Sequence, residues 1–306
     1  MHSAAARSFA AVAPFDFGRS LAFLRGFSPM HGEQTVTKDS LTKAFLVGAR
    51  PVVARVHQPE DGAAPAIGYE LWSPSATHTP RAVAPGVERA VVDRLRRFLG
   101  ADEDLAPFYA LAADDPPMAR LTERLHGLHH VTFPSAFEAA CWGLLYQRIP
   151  LSRARDMKRA IVRAFGATVV HEGAELPVFP DASTMARVGE PELGALLGPG
   201  RRARAIAAIA RAFAAVDESW LRAAPIAEVR AWLRSIYGVG EFTSGFVLYR
   251  ALGRFDGATL FSPHLVEAAG RVYGRAMTAA DMRRACARYA SWGGHWMLYL
   301  WASTFV

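Results

Sequence analysis

A Gly-Val-Gly tripeptide between two helical patterns constrains the fold of this chain more than any other local feature. Residues 227–237 carry apolar side chains at helical spacing, glycines flank Val239, and residues 241–252 resume the helical pattern. Glycine lets a ligand approach the main chain closely, and the second helix offers unpaired N–H groups to a phosphate, with the Thr243 hydroxyl nearby. The segment predicts either a phosphate-binding hairpin or an ordinary tight turn.

The hydrophobic pattern changes near Pro85. Residues 14–75 contain partly alternating Val-, Thr-, Phe- and Tyr-rich segments broken by Gly, Pro and Asp, a pattern typical of β-strands. Beyond Pro85 every segment has apolar residues at helical spacing. We therefore expect an α+β protein, with an N-terminal antiparallel β-sheet domain and flanking helices over residues 14–94 and an all-helical domain over residues 95–306. Residues 1–13 are expected to be a disordered leader.

The charge and cysteine content narrow the classes of function. The chain has 306 residues, with 35 Lys and Arg against 28 Asp and Glu, and a net charge of +7. The excess, mostly arginine, indicates a polyanionic partner or a GC-rich genome. Cys141 and Cys286 are far apart and form no CxxC pair, which excludes a thiolate zinc or iron–sulfur site and suits the cytoplasm. No apolar run approaches the ~20 residues of a membrane span.

A longer pattern surrounds the hairpin. Leu233, Ile236, Gly238 and Gly240 fit the spacing L-x-x-(I/L/P)-x-G-(V/I)-G. Here the sequence resembles the helix-hairpin-helix DNA glycosylase superfamily, specifically its 3-methyladenine DNA glycosylase II (AlkA-like) branch. The resemblance covers nearly the whole chain, without the four-cysteine tail of the iron–sulfur branch. The further similar segments are residues 15–24 (an opening strand), 51–58 (the β domain), 105–128 (a linker and first helices), 133–166 (a central segment) and 289–301 (a closing Trp-rich helix).

The resemblance implies that the protein bends double-stranded DNA and flips a damaged nucleotide out of the stack. Gly238, Gly240 and Thr243 would bind the phosphate backbone. Gln147 and Arg148 occupy the positions where the family fills the gap left by the flipped base, although Arg148 also fits an exposed basic face. We expect no cofactor, and a monovalent cation on the hairpin carbonyls is the one ion that the resemblance suggests. We expect a monomer.

Aromatic residues near the hairpin are the candidates for a base pocket. Flat aromatic faces suit a flipped base, and a cationic one such as an N-alkylated purine best of all. Aromatic residues at helical spacing also commonly belong to a core, and spacing alone leaves both interpretations open. The candidates are Phe242, Phe246, Trp142, Trp292 and Trp296.

The position of the family's catalytic aspartate is occupied by a serine. The family pattern V-D-x-H-V-x-R-x-x-x-R aligns with residues 260–274, which places Ser262 at the aspartate, His264 at the following histidine and Arg271 at the later arginine. Ser262 before Pro263 is a good helix N-cap, so the structural role of the aspartate is retained. Its negative charge is absent.

That charge matters because breaking an N-glycosidic bond builds positive charge on the sugar, and loss of such a stabilising group commonly costs ~10²–10³-fold in rate. Three ways to carry out the reaction without this carboxylate remain open. A cationic alkylated purine already has a weak bond and leaves as a neutral base. Neutral His264 can orient or deprotonate a water, unless it only caps the helix. An acid from elsewhere, Asp256 or Glu138, can reach the site.

We therefore expect a monofunctional DNA glycosylase of base-excision repair that acts on N3- or N7-alkylated purines or otherwise destabilised bases. Its active site is atypical, with Ser262, His264 and Asp256 as catalytic candidates. Two alternatives are a lesion-binding protein that does not cut and a structural DNA-binding module without a base pocket.

Overall fold

A five-stranded antiparallel sheet forms one end of the molecule. The computed structural model describes residues 7–48, 50–59, 65–74, 83–255, 257 and 260–306. The strands lie in the order β1-β5-β4-β3-β2, and β3 and β4 pair along their full lengths, from Ser40 opposite His57 to Val47 opposite Arg50. The strands are β1 (Arg7–Ala10), β2 (Gln34–Val36), β3 (Ser40–Val47), β4 (Arg50–His57) and β5 (Ala66–Trp72).

Two expectations for the N-terminal residues are wrong. Strand β1 pairs with β5 and buries Phe9, so residues 7–10 belong to the sheet and not to a disordered leader; residues 1–6 lie outside the described part. The stretch 15–24, expected as a strand, lies largely in helix α1 (Phe17–Gly26). Asp16 caps this helix by accepting a hydrogen bond from the Arg19 N–H, and its apolar residues share one buried face.

Helices form the remainder of the chain, and their bounds follow in chain order. They are α2 (Pro85–Leu99), α3 (Ala106–Ala113), α4 (Pro116–Arg124), α5 (Ala136–Leu145), α6 (Leu151–Phe165), α7 (Ala182–Ala186), α8 (Glu190–Leu197), α9 (Arg201–Ala215), α10 (Glu218–Ala223), α11 (Ile226–Ser235), α12 (Glu241–Arg250), α13 (Pro263–Tyr273), α14 (Ala279–Ala287) and α15 (Gly293–Ala302). Within the described residues, none is long and apolar enough to cross a membrane.

One hydrophobic core joins the sheet to the helices. Helix α2 buries Val91, Leu95 and Phe98 in the same cluster as the sheet residue Phe45, and the Phe45 and Phe98 rings meet edge to face. The predicted boundary between residues 94 and 95 falls inside this helix. Because its side chains pack continuously, α2 connects the two parts of the fold.

A β-hairpin interrupts the region predicted to be all-helical. Strands β6 (Ala167–His171) and β7 (Ala174–Val178) pair across Glu172 and Gly173, which both have positive φ, as a two-residue hairpin turn requires. Val169 and Leu176 pack against Ala44 and Val53 on the second face of the N-terminal sheet. The sequence pattern that indicates this hairpin is a run of alternating apolar residues on each side of a Glu-Gly turn. In the fold, the hairpin covers the second face of the sheet.

Candidate functional site

The shape of the helical hairpin depends on Gly238, which lies between α11 and α12. Its backbone is in the left-handed region, with φ of +88°. A Cβ atom here would lie 2.5 Å from the Cβ of Ala205 on α9. Conformation and space both call for glycine at this position. The neighbouring Ile236 and Val239 are buried, which anchors the turn in the core.

Gly240 differs, because it is exposed and nothing lies within 4 Å of the position of a Cβ atom. It is the N-cap of α12 and provides no capping side chain. The first N–H groups of α12 thus have no side-chain cap. Nearby Glu241 forms ion pairs with Arg230 (3.2 Å) and Arg234 (3.0 Å). The geometry is compatible with the predicted DNA anchor, which stays a prediction.

Gln147 and Thr243 are internal partners of the hairpin. The Gln147 side-chain amide donates to the Gly238 carbonyl (3.3 Å) and to the Thr243 hydroxyl (3.1 Å). Thr243 has no exposed surface. The expectation that its hydroxyl binds phosphate is therefore wrong, because α5 covers it. Gln147 is half-buried and ties the end of α5 to the hairpin.

Arg148, the predicted plug, is exposed and has φ of 55°. A non-glycine residue in the left-handed region carries backbone strain that the surrounding structure must hold, and such residues concentrate at functional sites. Arg148 borders a cavity of about 500 Å³ together with Arg201 and Arg202. Arg202 also donates to the Gln147 carbonyl (3.3 Å). Three arginines thus surround one opening beside the hairpin.

A separate, largely apolar cavity of about 210 Å³ lies between α5, α12, α13 and α15. Five residues predicted from the sequence meet here: Trp142, Phe242, Phe246, Ser262 and His264. The remaining lining residues are Phe27, Ser28, Pro29, Tyr146, Leu151, Tyr249, Arg250, Leu260, Leu265, Met297, Leu298 and Trp301.

Two pairs of stacked rings form the aromatic wall of this cavity. Phe242 and Phe246 lie one helical turn apart, with ring centroids separated by 6.0 Å and planes 23° apart. Trp142 on α5 and Tyr146, the C-cap of that helix, repeat this arrangement at 6.1 Å and 5°. Phe242 is 39% exposed whereas Trp142 is 3% exposed, so the wall extends from the surface into the interior. Such a wall suits a planar ring that enters from solvent.

Trp292 and Trp296 do not line this cavity, so the expectation for them is wrong. Trp296 is fully buried and its indole N–H donates to the Tyr273 hydroxyl (2.9 Å). Trp292 packs against Phe108. Trp301, on the same helix as Trp296, takes the cavity position instead. The Trp-rich pattern located the right helix but not its cavity-facing side.

Ser262 has the predicted capping role. Its hydroxyl oxygen accepts a hydrogen bond from the Leu265 N–H at 3.2 Å, and Pro263 is the first residue of α13. His264, in the first turn, is exposed at the cavity.

Of the two candidate acids, one lies outside the described residues and the other lies away from the cavity. Asp256 lies outside the described residues. Glu138 is buried and bonded to Lys158 (2.6 Å), and it borders a different cavity. Among the described residues that line the aromatic cavity, none is Asp, Glu or Lys. No group of three or more His, Cys, Asp or Glu residues in the described ranges can hold a metal ion.

Arg250 is a charged cavity residue that the sequence analysis missed. It is 5% exposed, and its guanidinium donates to the Val131 carbonyl at 3.0 Å. Its Cζ atom lies 5.0 Å from the ring centroid of Phe27 and 5.6 Å from that of Trp301. Burial lowers the pKa of Arg250 to about 10, so the group stays charged at neutral pH. Its position four residues after Phe246, on the same helical face, was the available sequence indication.

Comparison with known proteins finds sequence similarity over part of the chain. No family model matches the chain. A curated DNA-3-methyladenine glycosylase from Bacillus subtilis is 31% identical over 164 residues, which are 53% of this chain and 54% of that protein. The chain thus spans about half the length of the curated relative that it matches.

Solved structures extend the similarity to the whole fold. A 3-methyladenine DNA-glycosylase from Archaeoglobus fulgidus matches with a TM-score of 0.76 at 21% identity, covering 96% of this chain and 97% of that one. An 8-oxoguanine glycosylase/lyase from Clostridium acetobutylicum, in complex with double-stranded DNA, matches with a TM-score of 0.68 at 11% identity, covering 98% and 97%. At these identities the similarity shows a shared fold.

Proposed function

We infer the function from one premise: the chain has the fold of the helix-hairpin-helix DNA glycosylases and is homologous, over about half its length, to a DNA-3-methyladenine glycosylase. We propose that it is a DNA glycosylase that flips an alkylated or otherwise destabilised base from double-stranded DNA and hydrolyses its N-glycosidic bond. The proposal extends to a monomeric, cytoplasmic protein. The suggested cation on the hairpin carbonyls stays a prediction, and no step depends on it.

The observation that carries the proposal is the aromatic cavity close to the hairpin. The hairpin leaves the first N–H groups of α12 without a side-chain cap, and Phe242 and Phe246 on the same helix form the cavity wall. Gln147 ties this hairpin to α5, which carries Trp142 of the same cavity lining and precedes Arg148. A phosphate held at the start of α12 therefore brings the attached base within reach of the cavity.

The proposed chemistry is hydrolysis without a covalent intermediate. Lyase chemistry needs an amine near the sugar, and no lysine is found among the described residues of the cavity wall. Ser262 positions the start of α13 through its cap. His264 stands at the opening, where a neutral imidazole can accept a proton from the attacking water.

A single-turnover assay tests the proposal. Duplexes that carry 7-methylguanine, 3-methyladenine or hypoxanthine are incubated with excess protein and scored for abasic sites. We expect release of at least one base. Tight lesion binding without any release would support the second candidate, a lesion-binding protein, which the absence of an acid among the described cavity residues favours.

A Ser262→Asp variant measures what the missing charge costs. Aspartate retains the N-cap and restores the negative charge beside the sugar, so release of neutral deaminated bases should rise ~10-fold or more. Ser262→Asn is the matched control, because it caps the helix without a charge. An equal effect of both substitutions would contradict the electrostatic explanation.

A further inference from the structure

We propose that Arg250 determines which damaged base this cavity accepts, favouring a neutral base with a carbonyl oxygen, such as a deaminated purine, over a cationic alkylated purine. The proposal rests on the proposed function and names the substrate class of that site. It departs from the cationic substrate expected from the sequence.

Arg250 is a fixed positive charge in the wall of the aromatic cavity. It is the last residue of α12, two helical turns beyond Phe242 and one beyond Phe246. One of its amino groups, Nη2, is held by the Val131 carbonyl. The other, Nη1, is buried and makes no hydrogen bond of ordinary length and angle among the described residues, although the Tyr249 hydroxyl is a polar neighbour of the guanidinium. A buried guanidinium N–H without an acceptor is costly, and a ligand oxygen would satisfy it.

The charge of Arg250 is also uncompensated at the cavity. No described lining residue is acidic. The electron-rich faces of Phe27, Trp301 and Tyr249 lie 5.0, 5.6 and 5.9 Å from its Cζ atom. These rings therefore already interact with the Arg250 guanidinium. A second cation in this space would meet like charge in a poorly solvated environment.

The electron balance of the reaction explains why this charge favours neutral bases. When the bond between C1′ and N9 of a deaminated purine breaks, the electron pair leaves with the base, which becomes an anion with charge spread to its carbonyl oxygen. A nearby guanidinium stabilises that charge as it develops. Water then adds to C1′ and loses a proton, and the base anion takes up a proton from solvent.

A cationic purine gains nothing from the same group. The electron pair from its glycosidic bond neutralises the base, so no negative charge develops for Arg250 to stabilise. Its positive charge is repelled before the bond breaks. The same arginine thus assists one class of substrate and opposes the other, where an aspartate would assist both through the sugar.

The first test uses the unaltered protein. Single-turnover release is measured from matched duplexes that contain one deoxyinosine or one 7-methylguanine, and each rate is divided by the spontaneous rate of the same duplex. We expect the acceleration for hypoxanthine to exceed that for 7-methylguanine by ~10-fold or more. A larger acceleration for 7-methylguanine overturns the proposal without touching the proposed function, whereas no release of any tested base refutes the proposed function itself.

Two variants separate a selecting role from a structural one. Arg250→Met should lower the ratio of the two accelerations by ~10- to 100-fold, and Arg250→Lys, which keeps the charge, should preserve the preference for hypoxanthine. An equal loss on both substrates in Arg250→Met would show that Arg250 only supports the fold. If that variant does not fold, the comparison in the unaltered protein still decides the proposal.

Discussion

Lys158 and Arg250 are both buried cations, but their surroundings are opposite. Lys158, on α6, is 2% exposed and bonds to carboxylate oxygens of Glu138 (2.6 Å) and Glu33 (2.7 Å). Arg250, on α12, is 5% exposed, and its guanidinium donates to the backbone carbonyl of Val131. Burial disfavours the charge in both cases. The carboxylates more than offset this for Lys158 and raise its pKa, whereas the pKa of Arg250 falls to about 10.

This difference in surroundings distinguishes an ion cluster that holds the fold together from a charge that can act on a ligand. The Lys158 cluster joins the N-terminal segment, through Glu33, to the central helix α5, through Glu138, and with Lys43, 3.8 Å from Glu33, it balances two cations against two carboxylates. The charge of Arg250 is left beside a cavity that a ligand can enter. A buried charge that the fold does not neutralise is therefore better explained by binding than by stability.

Lys158→Met gives the largest expected effect on stability. It leaves the buried Glu138 carboxylate without its ion-pair partner and leaves Glu33 to the more distant Lys43 (3.8 Å), which should lower the free energy of unfolding by ~3–5 kcal/mol. Urea denaturation measures this loss. Arg163→Met, an exposed arginine on the same helix, is the matched control and should change stability by no more than ~0.5 kcal/mol. A loss below ~1 kcal/mol in Lys158→Met would mean that the ion cluster is not what holds these elements together.

Arg250→Met should destabilise less, by ~1–3 kcal/mol. It removes the hydrogen bond to Val131 and the contacts with the aromatic rings, but it also removes an uncompensated buried charge. Urea denaturation of both variants under the same conditions ranks their losses of unfolding free energy. A larger loss for Arg250→Met would indicate that Arg250 is primarily structural.

The smallest expected effect is the pH dependence of the unfolding free energy that Lys158→Met and Arg250→Met lose. The folded pKa of Arg250 lies below its unfolded value, so above about pH 10 the unfolded state binds more protons and the contribution of Arg250 to stability increases with pH. The raised pKa of Lys158 gives the opposite sign: its contribution is complete below ~10.4 and is lost as the pH rises through the folded value.

Unfolding free energies at pH 7 and pH 11 measure both trends. The gap between the unaltered protein and Arg250→Met should widen with pH, by at most ~1.4 kcal/mol per pH unit, while the gap for Lys158→Met should not widen. A gap that narrows for Arg250→Met would contradict an uncompensated charge at this position.

The sequence by itself determined the local structural motifs of this protein. The Gly-x-Gly hairpin and the Ser262 cap are both readable, because turns, caps and helical faces depend on neighbours within a few residues. The sequence also indicated that Phe242 and Phe246 share a face. Only the packing of α12 against α5, α13 and α15 placed both of them at a cavity.

Tertiary structure alone decided which side chains face that cavity and which charges are neutralised. Trp296 and Trp301 are close in the sequence, yet one lies in the core and the other at the cavity. Lys158 and Arg250 both occur in helices with apolar faces, but their partners come from residues about 20 to 130 positions away. Local pattern defines each element, whereas the partners of a buried charge depend on contacts between elements that are distant along the chain.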